Sequence, residues 1–356
     1  MGMGVDVKSD KTIYFRVDGN DIIATGHVMR CMSIAAQVKK LGMNAVFVTA
    51  DDFPRELIES NGFSVDVIGT VWNDLEKETE VLCGYVTSHN VEVLVIDSYY
   101  VTQDYLERLS AITKIVYVDD LFKFAYPVHT VLNHSVFAND DGYRELYIGE
   151  NVPNLLVGGE YIPLREEFSD INRKVSPEVK NVLITTGGTD ILNVAGNILK
   201  AVDGNEQLMS CVFHVIVGCF NNNKDKLRSI AERSGEHIIL HENVNDMSYW
   251  MVACDAAISA SGSTLYELCA CGTPTICVEV ADNQKGADNW EKGGYMLYAG
   301  NAANNMDECV KECIDKLILY NNNFEKREQM SIKMRELVDG KGAERVAMYI
   351  ADMINV

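Results

Sequence analysis

Short runs of apolar and β-branched residues alternate with helix-like segments along almost the whole chain of 356 residues. Strands that are apolar along their full length and are separated by helices form parallel sheets covered on both faces. In the first half these runs occupy residues 12–17, 45–49, 65–68, 93–96 and 115–118, with edge strands at 130–132 and 155–157. In the second half they occupy residues 182–185, 212–217, 238–240, 256–259 and 275–280. The pattern predicts an α/β fold with two Rossmann-like domains that face each other across a cleft.

A polar stretch separates the two halves of this pattern. Residues 169–180 contain Pro177 and lack regular apolar spacing, which is typical of a domain boundary. We therefore expect an N-terminal domain over residues 1–168, a linker and hinge over residues 169–180, and a C-terminal domain over residues 181–356. The tail from Met306 has the pattern of two or three amphipathic helices, which we assign to the second domain.

Charge and hydropathy exclude several classes of partner. The formal net charge of −21 argues against nucleic acid and anionic membranes as partners. An anionic substrate must therefore bind through helix N-termini and a few Arg or Lys side chains. No apolar run approaches the roughly 18 residues that a membrane-spanning helix needs, and the first residues have no basic segment followed by an apolar one. We expect a cytoplasmic protein without stable membrane insertion.

The ten cysteines give no sign of a disulfide framework or of a metal centre. They lie mostly in apolar surroundings, with no pair of Cys-x-x-Cys motifs, and are expected to be reduced thiols. Cys309 and Cys313 lie one helical turn apart and could bind a metal, but core packing is the favoured interpretation. Neither glycine-bearing turn matches G-x-G-x-x-G, so the signal for a dinucleotide is weak. We expect no cofactor and no metal.

The stretch from Arg16 to Cys31 closes the first strand and opens the first helix, which is where ligands bind in doubly wound sheets. His27 follows Gly26 and should lie in the first turn of that helix. A helix N-terminus disfavours imidazolium, so a neutral His27 able to accept a proton is expected there. The alternative is a structural histidine that caps the helix beside Asp18.

Further charged and polar residues end neighbouring strands of the same predicted sheet. Asp97 and Tyr99 follow one strand, and Asp119 and Asp120 follow another, so these residues are expected near His27. Two arginines, Arg16 and Arg30, could hold a phosphate. Equally, they could pair with Asp18, Asp97 or Asp119. Tyr99 could orient a sugar hydroxyl or a water molecule.

In the second half, small hydroxylated residues surround one glycine immediately before a helix: Ser261, Gly262, Ser263 and Thr264. Such a turn leaves backbone N–H groups open at a helix N-terminus and can bind a pyrophosphate. The spacing Thr264-x-x-Glu267 is also that of a capping box, which needs no ligand, and on pattern alone the cap is favoured. Glu267 can bind a ribose only if it points into the cleft.

Two other turns of the second half lie at the ends of strands. Gly187 and Gly188 would allow a phosphate or a base to approach closely, although a tight turn with Asp190 capping the next helix is about equally compatible. Asn283 and Gln284 follow the strand at 275–280 and supply amide donors at its carboxyl end.

Taken together, these motifs resemble a known family. Arg16-x-Asp18, Gly26-His27-x-x-Arg30-Cys31 and Asp97-Ser98-Tyr99 are similar to motifs in the N-terminal domain of the UDP-2,4-diacetamido-2,4,6-trideoxy-altropyranose hydrolases of pseudaminic acid biosynthesis. Spore-coat polysaccharide proteins share them. Residues 161–168 resemble the family's segment before the interdomain linker. Gly187-Gly188-Thr189-Asp190 with Asn193, together with residues 259–274, resembles its nucleotide-binding half.

The resemblance implies the GT-B fold, with UDP against the second domain and the sugar against the first. It implies that His27 activates water, that Tyr99 and Asn283 lie near the sugar, and that Glu267 binds the ribose. The chain departs from the family at Ala24, where glycine is frequent, and at Asn20, where serine is frequent.

The expected activity is hydrolysis of a UDP-linked diacetamido-trideoxy sugar, by attack of water on the anomeric carbon with inversion and without a metal. A UDP-sugar-dependent glycosyltransferase of surface polysaccharide synthesis is the alternative, because the same base could deprotonate an acceptor hydroxyl. A third possibility is a sugar-nucleotide-binding protein without catalysis. The motifs do not distinguish between these three functions.

Overall fold

The computed structural model describes residues 11–355, with side chains at all of these positions except Asn283 and Asn355. The described chain forms two compact units. The first contains the residues up to Glu166 together with those from Gly340 onward, and the second contains Glu167–Asp339.

The first unit is built on a seven-stranded sheet in the order β3-β2-β1-β4-β5-β6-β7, in which every neighbouring pair is parallel. Its strands are β1 (Thr12–Val17), β2 (Asn44–Thr49), β3 (Ser64–Val67), β4 (Val93–Asp97), β5 (Lys114–Val118), β6 (Thr130–Asn133) and β7 (Asn154–Val157). Its helices are α1 (Gly26–Lys40), α2 (Arg55–Ser60), α3 (Leu75–Ser88), α4 (Gln103–Ser110), α5 (Asp140–Leu146) and the last helix of the chain, α13 (Gly342–Asn355).

Both faces of this sheet are buried, as its continuous apolar strands require. Ile13 and Phe15 of β1 pack in one cluster with residues of α1 and α13. On the other face, Leu94 and Ile96 of β4 pack with residues of α3 and α4. The helices therefore hold the carboxyl ends of the strands at one edge, where the connecting loops carry the polar residues.

The second unit repeats this architecture with six parallel strands in the order β10-β9-β8-β11-β12-β13. Its strands are β8 (Asn181–Thr185), β9 (Val212–Val217), β10 (Ile238–Glu242), β11 (Ala256–Ala260), β12 (Thr275–Glu279) and β13 (Leu297–Asn301). Its helices are α6 (Val194–Val202), α7 (Lys224–Ser234), α8 (Met247–Ala253), α9 (Thr264–Cys271), α10 (Asp288–Lys292), α11 (Met306–Asn321) and α12 (Phe324–Leu337).

The predicted fold class, α/β with two Rossmann-like domains, is confirmed. Every strand predicted from the apolar runs is present, and β13 is an additional strand that the sequence did not indicate. Cys309 and Cys313 lie on the buried face of α11 and pack in the core, as the packing interpretation expects. Among residues 11–355, no helix is both long and apolar enough to cross a membrane.

The predicted domain boundary is wrong for the last helix. We assigned the whole C-terminal tail to the second domain, but α13 packs in the first unit. Val346, Ala347 and Ile350 are fully buried in the same apolar cluster as α1. The Lys114 ammonium also donates to the Met353 carbonyl at 2.5 Å. An amphipathic pattern reveals that a helix has an apolar face, but it does not reveal which sheet that face covers.

The expected linker over residues 169–180 is part of the second unit. The Arg173 guanidinium is buried and donates to the carbonyl oxygens of Met251 at 2.8 Å and Val252 at 3.0 Å, at the end of α8. The Asp255 carboxylate accepts from the backbone N–H groups of Lys180 and Asn181, both at 2.9 Å. These bonds attach residues 173 and 180 to the second unit, and the predicted hinge role of the segment stays a prediction.

Truncation of Ile350 to Ala tests the assignment of α13. Ile350 is fully buried against the first sheet, so its loss should lower the free energy of unfolding by about 2–5 kcal/mol. Met348 lies on the same helix and is 52% exposed, and Met348→Ala is therefore the matched control. Equal small effects of the two variants in chemical denaturation would contradict the docking of α13.

Candidate active site

The first candidate site lies where the strand order of the first sheet reverses. The strands β1 and β4 are adjacent and parallel, although a large part of the domain separates them in sequence. Their carboxyl ends therefore meet at one edge, which is the usual ligand site of such sheets. The loop after β1 leads into α1 at Gly26, and this places His27 beside Asp97 at the end of β4.

The Asp97 carboxylate is the centre of this cluster. It is 1% exposed, and its Oδ1 atom lies 2.6 Å from His27 Nδ1. Arg30 Nε donates to Asp97 Oδ2 at 2.5 Å, and the Arg30 terminal nitrogen Nη2 donates to Oδ1 at 2.6 Å. Burial alone would raise the pKa of Asp97, but the Arg30 guanidinium and the His27 contact outweigh it and hold that pKa well below its usual range.

This geometry selects one tautomer of His27. An ionised carboxylate can only accept hydrogen bonds, so its 2.6 Å contact favours a neutral imidazole whose proton lies on Nδ1, although the Arg30 terminal nitrogen Nη2, which is also a donor, lies 3.0 Å from the same Nδ1. The other ring nitrogen, Nε2, is then unprotonated and can accept a proton. His27 itself is 6% exposed, and α1 carries no acidic residue in its first turn. The arrangement is that of a general base oriented by a buried carboxylate.

Tyr99 lies against the His27 ring. The two ring centroids are 4.5 Å apart and the rings are close to perpendicular. Burial raises the pKa of Tyr99 to about 12, with a further contribution from Asp120, so its hydroxyl is protonated at neutral pH. Tyr99 is still 38% exposed. Its hydroxyl is therefore a hydrogen-bond donor at the edge of the cluster.

Asp120 and His134 complete the cluster; the sequence predicted Asp120 near His27, but it assigned no role to either residue. Arg30 donates to Asp120 Oδ2 at 2.8 Å, which joins this carboxylate to Asp97 through one guanidinium. Burial, reinforced by Arg30, lowers the pKa of His134 to about 4, so its ring is neutral at neutral pH. Both residues follow strand ends, β5 and β6, and this position was the signal that pointed to them.

Arg30 was expected to bind substrate, but its guanidinium is committed to carboxylates. Its side chain is only 15% exposed and bridges Asp97 and Asp120. The ion-pairing alternative therefore describes Arg30 in this structure. Its effect on a substrate is indirect, since it positions the carboxylate that orients His27.

Arg16 is removed still further from the site. Its guanidinium is fully buried and donates to both carboxylate oxygens of Glu78, at 2.7 and 2.6 Å, and to Asp18 at 2.6 Å. Asp18 in turn accepts from the backbone N–H of Ala50 at 2.8 Å. The proposed substrate contacts of Arg16 and Asp18 are thus replaced by a structural ion cluster that ties β1 to α3.

The loop between β1 and α1 is shaped by one residue in the left-handed region. Ala24 has φ +56°, a conformation that favours glycine, and it is the position where glycine is frequent in the resembled family. Asn20 closes the loop because its side-chain oxygen accepts from the N–H groups of Ile22 and Ile23 at 2.8 and 3.0 Å. Gly26 then begins α1.

The second candidate site lies at the corresponding edge of the second sheet. Ser261 extends β11, since its N–H donates to the Val278 carbonyl at 2.9 Å. Gly262 and Ser263 are exposed, and α9 begins at Thr264. The capping-box interpretation is wrong, because Thr264 is the first residue of the helix and the N-cap Ser263 makes no side-chain bond to it.

The turn after β8 lies beside the turn after β11, because these two strands are neighbours. Gly187 has φ +85°, and both Gly187 and Gly188 are exposed. Asp190 accepts from the N–H groups of Val194 at 2.8 Å and Ala195 at 3.2 Å. The alternative in which Asp190 caps the helix is thus correct, and the N-terminus of α6 already holds a carboxylate.

Gln284 is brought to the turn at Gly262. Its side-chain oxygen accepts from the Val280 N–H at 2.9 Å, and a Cβ atom on Gly262 would lie 3.8 Å from its Nε2. The Gln284 amide therefore offers a donor beside the start of α9. The side chain of Asn283 lies outside the described residues, so its predicted place near a sugar stays a prediction.

Comparison with known proteins gives distant relatives, and no family model matches the chain. The chain is 22% identical to the spore coat polysaccharide biosynthesis protein SpsG of Bacillus subtilis, over 94% of this chain and 96% of that protein. It is 26% identical to the UDP-2,4-diacetamido-2,4,6-trideoxy-beta-L-altropyranose hydrolase of Campylobacter jejuni, over 80% of this chain and 98% of that protein. An uncharacterised protein of Methanocaldococcus jannaschii is 23% identical over 73% of this chain, which spans about half of that relative's length (54%).

Solved structures with the same fold include GT-B glycosyltransferases and a protein of Listeria monocytogenes that is named as a UDP-N-acetylglucosamine 2-epimerase. MurG of Acinetobacter baumannii superposes with a TM-score of 0.68 at 14% identity, covering 96% of this chain and 99% of MurG. The pneumococcal O-GlcNAc transferase GtfA, solved with UDP and GlcNAc, gives a TM-score of 0.63 at 11% identity, covering 98% and 100%. These similarities establish the fold and leave the reaction open.

Replacement of Asp97 by Asn should be destabilising at neutral pH, by about 3 kcal/mol, because the largely buried Arg30 guanidinium loses one of its two carboxylate partners and keeps only Asp120. The pKa of Asp97 is lower in the folded state than in the unfolded chain. Its ionised form therefore stabilises the fold above about pH 4, and this contribution is lost as the pH falls through the lower folded-state pKa.

The expected measurement is the free energy of unfolding from pH 7 down to pH 3 for both proteins. The difference in the free energy of unfolding between wild type and Asp97→Asn should become smaller below about pH 4. Asp315→Asn, at an exposed carboxylate of α11, should track wild type. A gap that stays constant with pH would contradict the ionised, paired state of Asp97.

Proposed function

We propose that this chain is an enzyme that acts on UDP-sugars, and that it releases UDP by hydrolysis. The observation that carries the proposal is the orientation of His27, whose Nδ1 is held by the buried Asp97 carboxylate at 2.6 Å. That contact leaves Nε2 available to accept a proton. Relatives named for a UDP-sugar hydrolase and for polysaccharide biosynthesis, and the GT-B fold, support the same substrate class.

In the proposed reaction, His27 Nε2 takes a proton from water while the water oxygen attacks the anomeric carbon. The bond between that carbon and the oxygen of the diphosphate breaks, and its electron pair leaves with UDP. A single displacement of this kind inverts the anomeric configuration. The imidazolium that forms is stabilised by Asp97, and the Tyr99 hydroxyl, which donates to Asp120, can accept from a sugar hydroxyl or from the water.

The second unit supplies a place for the UDP. The open turn at Gly262 and Ser263 before α9, and the neighbouring amide of Gln284, offer neutral hydrogen-bond donors to a diphosphate. Such donors suit a chain with a net charge of −21, because the summed field of the protein opposes an anion and local dipoles must hold it. We assign the ribose to Glu267, a sugar contact to Asn283, and close approach of the nucleotide to Gly187 and Gly188.

A diacetamido-trideoxy sugar of the pseudaminic acid pathway is the substrate that the resemblance and the Campylobacter jejuni relative favour. The second candidate function is transfer of the sugar to an acceptor hydroxyl. It is favoured by the likeness of nearly the whole chain to MurG and GtfA. The two functions differ in the nucleophile, which is water in one and an acceptor in the other.

The deciding experiment follows UDP release from UDP-2,4-diacetamido-2,4,6-trideoxy-altropyranose in ¹⁸O-labelled water, with EDTA and without an acceptor. Label on the anomeric carbon of the free sugar supports hydrolysis at carbon. Label on UDP would mean attack at phosphorus and would contradict the role of His27. Tight UDP binding without release would favour a transferase.

His27→Asn should lower kcat by a factor of about 10²–10⁴, the range typical of a lost general base. The KM for the UDP-sugar should change little, because the substrate is bound mainly by other groups. The matched control is His89→Asn, at an exposed histidine after α3. Wild-type turnover in the His27 variant would remove this residue from the mechanism.

Gly262→Ala tests whether a ligand approaches the start of α9. A Cβ atom at this position meets only the Gln284 amide, at 3.8 Å, so the fold should tolerate it. If a diphosphate lies against this backbone, the added methyl group should weaken UDP binding by about tenfold or more, as measured by titration calorimetry. The control is Gly84→Ala, which has open space on α3. Unchanged UDP affinity would contradict this binding site.

A further inference from the structure

A partly exposed aromatic pair lies in two loops of the first unit, one of which also carries Tyr99 of the candidate catalytic cluster, and the proposed mechanism does not use it. The rings of Trp72 and Tyr100 have centroids 5.3 Å apart and are almost perpendicular, at 87°. Trp72 lies in the loop after β3, and Tyr100 directly follows Tyr99 in the loop after β4. Tyr100 is 38% exposed and the neighbouring Val71 is 55% exposed. These rings are thus partly open to solvent at the edge of the sheet that carries His27.

The loops that carry this pair are held in place. The Thr70 hydroxyl donates to the buried Glu78 carboxylate at 2.6 Å, and its N–H donates to the Ala50 carbonyl at 3.1 Å. In the other loop, the Ser98 hydroxyl accepts from the Tyr100 N–H at 3.3 Å, and its carbonyl accepts from the Tyr117 hydroxyl at 3.2 Å. Large rings on fixed loops lose little conformational freedom when a ligand covers them.

The charges around the pair favour a neutral ligand. Within five positions of Trp72 the charged residues are Asp74, Glu76 and Lys77, and Lys77 is paired with Asp74 at 2.5 Å. Within five positions of Tyr100 they are Asp97 and Asp104. Asp97 is buried and paired with Arg30, so the unpaired charges of these two segments are the exposed carboxylates of Glu76 and Asp104, and like charge disfavours a diphosphate. A pyranose ring is neutral and presents a C–H face, which suits the apolar bodies and polar tips of Trp and Tyr.

We propose that Trp72 and Tyr100 form a stacking platform for the sugar ring of the UDP-sugar, next to the catalytic base. This assignment rests on the proposed function and adds a specificity-determining site to it. The platform begins one residue beyond Tyr99, which contacts the His27 ring. In this proposal, a sugar whose anomeric carbon is near His27 lies against the free face of one of these two almost perpendicular rings.

The test measures kcat and KM for UDP-2,4-diacetamido-2,4,6-trideoxy-altropyranose, and the inhibition constant of UDP. Trp72→Ala should raise KM by about tenfold, since it removes a large apolar contact, and should leave the UDP inhibition constant within about twofold. Trp72→Phe should restore most of the affinity. Tyr249→Ala is the matched control, because Tyr249 is 59% exposed and packs edge-on against Trp250 in the second unit.

An unchanged KM in a folded Trp72→Ala protein would overturn the proposal. A parallel rise in the UDP inhibition constant would also overturn it, because the pair would then hold the nucleotide. If wild type does not release UDP, the proposed hydrolysis fails, and the platform is tested by equilibrium binding of the same UDP-sugar and of UDP. Selective weakening of UDP-sugar binding in Trp72→Ala supports the platform, and equal effects on both ligands, or none, contradict it.

Discussion

The buried Asp97 carboxylate is the group around which the first candidate site is arranged. A charge in this position is tolerated only when it is paired and hydrogen-bonded. Arg30 supplies two donors and His27 supplies a third. Satisfying the carboxylate has a chemical consequence, since the hydrogen bond that His27 Nδ1 donates to Asp97 leaves Nε2 as the nitrogen that can act as a base. In the proposed mechanism, folding and catalysis share this one contact.

Two buried ion clusters lie close to each other in the sequence of the first unit and serve different purposes. Arg16 and Glu78 have fully buried side chains, and they fasten β1 to α3. Arg30 is 15% exposed and joins Asp97 to Asp120 at the loop edge. The first cluster stabilises the sheet, and the second orients groups that face solvent. Arg16 precedes the loop between β1 and α1, and Arg30 follows it. Their roles differ because the Arg16 side chain is fully buried and the Arg30 side chain is partly exposed.

The strands were predictable because a parallel sheet buried on both faces needs continuous apolar runs, and these runs stand out in the sequence. The position of His27 was predictable for a related reason, since strand ends and helix starts share one edge. The pairing of Arg16 with Glu78 was not predictable, because Glu78 lies in an amphipathic helix where an acidic residue is ordinarily solvated. Thr264-x-x-Glu267 has the spacing of a capping box, yet the helix begins one residue too early for it.

The assignment of α13 shows a similar limit. Its apolar face was visible, but the choice between two sheets of the same architecture depends on shape complementarity over distant residues. Asp120 and His134 lie at strand ends, where the sequence marks a position and not an orientation. In the second unit, the exposed turn at Gly262 and the Gln284 amide agree with the predicted anion site. The N-terminus of α6 does not offer an anion site, because the Asp190 carboxylate already accepts from its N–H groups.

The most direct test of the central claim is the tautomer of His27 in solution. Long-range ¹H–¹⁵N NMR spectra of the labelled protein at neutral pH, with the His27 signals assigned by their loss in a His27 variant, report which ring nitrogen carries the proton. A proton on Nδ1 and a bare Nε2 are expected, because Asp97 accepts from Nδ1 at 2.6 Å. A neutral ring protonated on Nε2 would contradict the account, since that nitrogen could not then accept a proton from water.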